Sequence, residues 1–158
     1  MAVKTNAMRI LDREKISYTA QEYGHDDGLI DGNSIAKKIG ADEKVVFKTL
    51  VTKGASGGYF VFVVPVCTEL DLKKAAKAAG EKSVAMIPVS DINKVTGYIR
   101  GGCSPVGMKK LFPTYIDVSA ESLDAIYVSA GKIGAQVFVS PNDLARVCNG
   151  KFADITAE

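Results

Sequence analysis

The sequence predicts a mixed α+β fold, and three observations carry that prediction. Short stretches with helical apolar spacing are interspersed with about six or seven runs of β-branched and aromatic residues. The two most apolar runs, Val45–Val51 and Tyr59–Val66, are separated by little more than the Gly-Ala-Ser-Gly-Gly turn at 54–58, so they read as a central hairpin covered on both faces. A chain of 158 residues with 47% hydrophobic and 24% charged content suits one globular core, which predicts a single domain over residues 1–158.

In chain order, Thr5-Asn6 caps a first helix from Ala7 to about Arg13, with Met8, Ile10 and Leu11 facing inward. The alternation over Ile16–Tyr23 predicts a strand, and the irregular segment 24–33 that follows leaves Tyr23 and His25 at its end. Asn33 or Ser34 caps a second helix to Ile39, stopped by Gly40. After the hairpin, Asp71 caps a helix over Leu72–Ala79 whose inward face is Leu72, Ala75, Ala76 and Ala79, and Gly80 closes it. Ser83–Ile87 predicts a short strand, Pro88 opens a brief helix to Val95, and Gly97 ends it. A glycine-rich connection leads to strands over Thr114–Val118, Ile126–Ser129 and Ala135–Val139, the last two joined through Ala130-Gly131-Lys132. Ser140-Pro141-Asn142-Asp143 opens the last helix and Gly150 stops it. There is no internal repeat, linker or low-complexity tract.

Several function classes are disfavoured by composition. No apolar run approaches the roughly 20 residues needed to span a bilayer, and the N-terminus lacks an apolar signal core, so no membrane association and a cytoplasmic location are expected. Cys67, Cys103 and Cys148 are odd in number and lack metal-type spacing, which predicts reduced thiols and no metal. His25 is the single histidine, so a multi-histidine site is impossible, and without a nucleophile elbow a Ser-His-Asp triad is not expected. A net charge of +2 is weakly basic, and the lysine pairs at 37–38, 73–74 and 109–110 read first as solvated faces and only weakly as phosphate contacts.

Two stretches could carry chemistry. Lys48 interrupts an apolar strand, so it either snorkels to an edge, as long stems commonly do, or faces a polar pocket. Gly101-Gly102-Cys103-Ser104-Pro105 is either a tight turn or a loop whose backbone N–H groups approach a ligand closely. It fits neither the P-loop nor the dinucleotide fingerprint. Cys103 has no recognisable base partner and reads as an ordinary loop thiol.

FKTL at 47–50, LDLKK at 70–74, TGYIRGGCSP at 96–105, YVSAGK at 127–132 and KFADI at 151–155 together resemble the YbaK/EbsC family, free-standing relatives of the editing domain inserted in bacterial prolyl-tRNA synthetases. The resemblance runs in order through nearly the whole chain. It implies strands curled into a partial barrel with helices outside, and deacylation of mischarged aminoacyl-tRNA in trans, most typically Cys-tRNA(Pro). Prolyl-tRNA synthetase is the implied candidate partner, and no cofactor is implied. Position by position, the family's essential lysine matches Lys48, its threonine Thr49, its early tyrosine Tyr23, its GxxxP loop Gly101 and Gly102, and its late serine Ser129. Gln136 stands where cysteine-specific members are associated with an aspartate, which opens the question of amino-acid specificity and of compensation by Asp26, Asp27 or Asp117. In the family the substrate's own thiol can attack its ester to give a cyclic thiolactone, so the protein need only orient groups and stabilise charge. The competing expectation is a non-catalytic tRNA-binding or regulatory module on the same fold.

Overall fold

The computed structural model describes residues 4–157. Its helices are α1 (Asn6–Arg13), α2 (Gly32–Ile39), α3 (Leu72–Ala79), α4 (Ile92–Thr96) and α5 (Pro141–Cys148). The strands are β1 (Tyr18–Glu22), β2 (Phe47–Gly54), β3 (Tyr59–Pro65), β4 (Val84–Met86), β5 (Thr114–Asp117), β6 (Ile126–Ser129), β7 (Ala135–Val139) and β8 (Gly150–Ala153). They form a five-stranded sheet in the order β4-β2-β3-β5-β8 and a three-stranded sheet in the order β1-β7-β6.

The expected central hairpin is present, with Lys48 paired to Val64 and Thr49 to Val63. Both of its faces are covered. Phe47 and Val63 pack with Leu11, Ile126, Val128, Val137 and Leu144, while Phe62 and Val64 pack on the other side against Ala75 and Ala76 of α3. Each fully buried aliphatic or aromatic side chain contributes about 1.5–3 kcal/mol, so the hairpin anchors the molecule from both sides.

Several local expectations are corrected. Asp31, not Asn33 or Ser34, caps α2, because its carboxylate accepts from both the backbone N and the Oγ of Ser34. Leu72 is 43% exposed. It sits in the first turn of α3, beyond the stripe formed by Ala75 and Ala76, and lines a surface groove instead of the core. Asn149, not Gly150, stops α5 with a left-handed φ of 54°, which an Asn side chain tolerates. Gly150 instead opens β8, an edge strand parallel to β5 that was not expected, since GKFA carries no clear two-residue apolar alternation. Val45 lies in a short 3₁₀ turn capped by Asp42, and Ile16 precedes β1.

The two sheets meet at one isolated parallel bridge between Val46 and Tyr127. Beyond it β2 and β6 diverge. On the side of β2 away from β3, β4 pairs only with Thr52–Gly54, so Phe47–Leu50 have no strand partner there. No closed barrel forms among the described residues. The gap between the unpaired edge and the ends of β6 and β7 positions the site. Among the described residues no helix is long and apolar enough to cross a membrane.

Candidate active site

A cavity of about 360 Å³ opens in this gap. β2 contributes Lys48 and Thr49 to its wall, β6 and β7 contribute Ser129 and Gln136, and the loop after α4 contributes Gly101 and Cys103. Ser129 and Gln136 are direct cross-strand partners, which is why two positions seven residues apart reach one wall. Most of the remaining surface is apolar, including Ile30, Ile35, Met86, Val89 and Ile92.

The charge on this wall is one-sided. Among the described residues, Lys48 and Arg100 line it and no carboxylate does. Lys48 is part-buried, lines the cavity and takes part in no ion pair or side-chain hydrogen bond among the described residues, so it has no protein counter-ion there. The carboxylates that could have compensated for Gln136 are committed elsewhere or lie off the wall. Asp27 is held by Lys38, whose hydrogen bond keeps its carboxyl below the usual range. Asp117 accepts from the backbone N–H of Ser119 and Ile155, and Asp26 lies on the exposed early loop.

Unpaired acceptors complete the polar part of the wall. Thr49 Oγ1 and Gln136 Oε1 are buried without a hydrogen-bond partner among the described residues, a costly state unless a ligand or water meets them. Ser129 Oγ accepts from Gly131 N at 3.2 Å, which turns the serine back towards its own loop.

The glycine loop is a turn in which Gly102 N donates to Ile99 O at 2.9 Å. Gly101 occupies its third position with φ +85°, the left-handed geometry that demands glycine. Gly102 is therefore not a free donor, and it does not line the cavity. A Cβ at Gly102 would lie 2.9 Å from Ile133 N, so its role is close packing of this loop on the turn after β6. The N–H groups of Gly101 and Cys103 have no intramolecular partner among the described residues. Tyr23 is likewise outside the lining set. It is buried just past β1 with its N–H on Gly134 O, and its hydroxyl has no partner.

Cys103 reaches the wall, but burial pushes its thiol up to about 11, which leaves almost no thiolate at neutral pH. Cys148 is buried in the core and Cys67 is exposed away from the wall. His25 is exposed and packs near Gly134. Among the described residues no group of three His, Cys, Asp or Glu side chains could hold a metal ion.

Two contributors escaped the sequence reading. Arg100 lies inside the quoted TGYIRGGCSP segment, and its place on the wall depends on the turn geometry. Lys38 Nζ donates to Gly24 O, Asp27 Oδ1 and Leu29 O at 2.8–2.9 Å, tying down the loop that delivers Ile30 to the cavity. No local pattern distinguishes Lys38 from its neighbour Lys37.

Residues 33–147 match the family model described as the aminoacyl-tRNA editing domain. The chain is 46% identical over 155 residues to EbsC of Enterococcus faecalis (strain ATCC 700802 / V583), named as a proposed Cys-tRNA(Pro)/Cys-tRNA(Cys) deacylase; the match covers 98% of this chain and 94% of that protein. The fold is shared with the crystal structure of a proposed trans-editing enzyme for prolyl-tRNA synthetase, with a TM-score of 0.83 at 22% identity over 99% of this chain and 100% of that one. It is also shared with a scaffold protein from computational epitope grafting, with a TM-score of 0.84 at 22% identity over 99% of both chains. The chain belongs to the aminoacyl-tRNA editing family, in its YbaK/EbsC branch, and is an aminoacyl-tRNA deacylase.

Proposed function

We propose that the substrate is Cys-tRNA(Pro), cleaved with the help of its own thiol in the cavity beside β2. The observation that carries this is a wall with two cations, no carboxylate and two unpartnered buried acceptors, and no protein nucleophile in working form. A terminal nucleotide brings negative charge, which Lys48 and Arg100 attract. The aminoacyl ammonium brings donors, which Gln136 Oε1 and Thr49 Oγ1 accept, with Ser129 beside them. The N–H groups of Gly101 and Cys103 replace Gly102 as donors to the ester carbonyl as it gains charge. The substrate sulfur attacks the carbonyl carbon, the ester C–O bond breaks, and the ribose hydroxyl leaves with the thiol proton. Water then opens the thiolactone. Tyr23 and Gly102 serve by shaping this wall from behind. In this reading one domain over residues 1–158 performs the reaction, the two sheets act as a partial barrel around the cavity, and prolyl-tRNA synthetase supplies the mischarged substrate.

Deacylation of Cys-, Ala- and Pro-tRNA(Pro) by wild type and Gln136→Asp tests the assignment. A charge-assisted hydrogen bond contributes about 1.5–3 kcal/mol, so aspartate is expected to raise the rate by roughly tenfold or more on each ester, since all three carry the ammonium, with wild type fastest on the Cys ester. Unchanged rates on every substrate would place position 136 outside the specificity site.

A further inference from the structure

A second concavity, of about 340 Å³, lies between α3 and β4 and is lined by Lys73, Lys77 and Lys82 together with Glu81 and Val84. The three lysines are exposed, and none takes part in an ion pair among the described residues, whereas their neighbour Lys74 is paired with Asp154. Glu81 is the one carboxylate of the groove. It is engaged by the backbone N and the Oγ of Ser56, which hold it below the usual carboxylate range.

This groove adjoins the cavity. Val84 lines the groove and Met86 lines the cavity, and as alternate residues of β4 they face the same side, about 7 Å apart. Together the two concavities carry five cations, Lys48, Arg100, Lys73, Lys77 and Lys82, against Glu81 alone. The whole chain is only +2, so everything outside them sums to a net negative charge. Positive charge is concentrated in these two neighbouring concavities. Lys73 and Lys77 lie one helical turn apart, about 6 Å between their Cβ atoms, which suits successive anionic groups on a strand.

We propose that the α3–β4 groove holds the phosphodiester backbone of the tRNA acceptor end whose aminoacyl ester occupies the cavity. This rests on the ester-site reading above, and binding is measured separately from cleavage so that the two can fail apart. The variant is Lys73→Gln/Lys77→Gln/Lys82→Gln, with Lys110→Gln/Lys151→Gln as a control outside both concavities. Affinity for uncharged tRNA(Pro) is read by fluorescence anisotropy between 50 and 200 mM salt, and deacylation is followed on full-length Cys-tRNA(Pro) and on a cysteinyl ester of adenosine.

Each phosphate contact contributes about 0.7–0.9 to the slope of log K against log salt. The triple variant is therefore expected to flatten that slope by about 2–3, to weaken tRNA binding roughly tenfold or more, and to raise KM for the tRNA with kcat unchanged. Cleavage of the adenosine ester should not move. Wild-type affinity and slope in the triple variant, or an equal loss in the control, overturns the groove. Wild-type protein that binds tRNA in this groove without releasing the amino acid overturns the ester-site reading and leaves the groove standing.

Discussion

Lys48→Ala is expected to slow deacylation by about two to three orders of magnitude while leaving the fold intact. Lys48 pairs through its backbone with Val64, one pair from the open end of the hairpin, and that ladder does not depend on its side chain. The ammonium has no counter-ion among the described residues to be stranded by its removal, so the melting temperature should move by no more than a few degrees. Loss of one preorganised charge-stabilising group in a desolvated site typically costs 10²–10³ in rate, and a fall of about that size is expected here. Lys48→Arg should recover little, because a planar guanidinium presents its donors differently from a compact ammonium. A folded Lys48→Ala protein with wild-type turnover would return this residue to a surface-covering role.

Gly102→Ala should damage both stability and activity. The added methyl would meet Ile133 N and the carbonyl carbon of Lys132 at 2.9 Å, and these are backbone atoms that cannot swing aside. Overpacking of this kind costs about 1–3 kcal/mol, so thermal melting should fall by roughly 2–10 °C. The atoms that must shift belong to the loop between Ser129 and Gln136, so deacylation is expected to fall at least about tenfold as the wall is displaced. Unchanged melting and full activity would mean that the loop accommodates a side chain and that Gly102 has no packing role.

Much of the molecule was legible in the sequence because local and global preferences agree. The apolar hairpin, the alanine stripe of α3 and the caps by Thr5, Asp71 and Ser140 each follow from a short-range rule and recur in the structure. β8 was not legible because its four residues depend on β5 for pairing, and Leu72 misled because first-turn residues can extend past the core. The same division holds at the site. Lys48 announced itself as a cation in an apolar run. Gly101 stood out as part of a glycine-rich turn, whereas Thr49, Ser129 and Gln136 reach the same wall but only the family resemblance singled them out. Arg100 and Lys38 act through turn geometry and long-range hydrogen bonds that leave no periodic trace.

In the proposed mechanism the cavity positions the substrate's thiol and supplies no nucleophile of its own. The most direct measurement uses the Cys103→Ser protein, which removes the one thiol on the cavity wall, and compares catalytic turnover of Cys-tRNA(Pro) with that of Ser-tRNA(Pro). The two esters differ by a single sulfur-to-oxygen exchange. Cysteine release is expected to stay within about threefold of wild type and serine release to be slower by roughly 100-fold or more, since a hydroxyl is a far weaker nucleophile than a thiol at neutral pH. Loss of cysteine release in a Cys103→Ser protein that melts normally, or equal rates on the two esters, would contradict this mechanism.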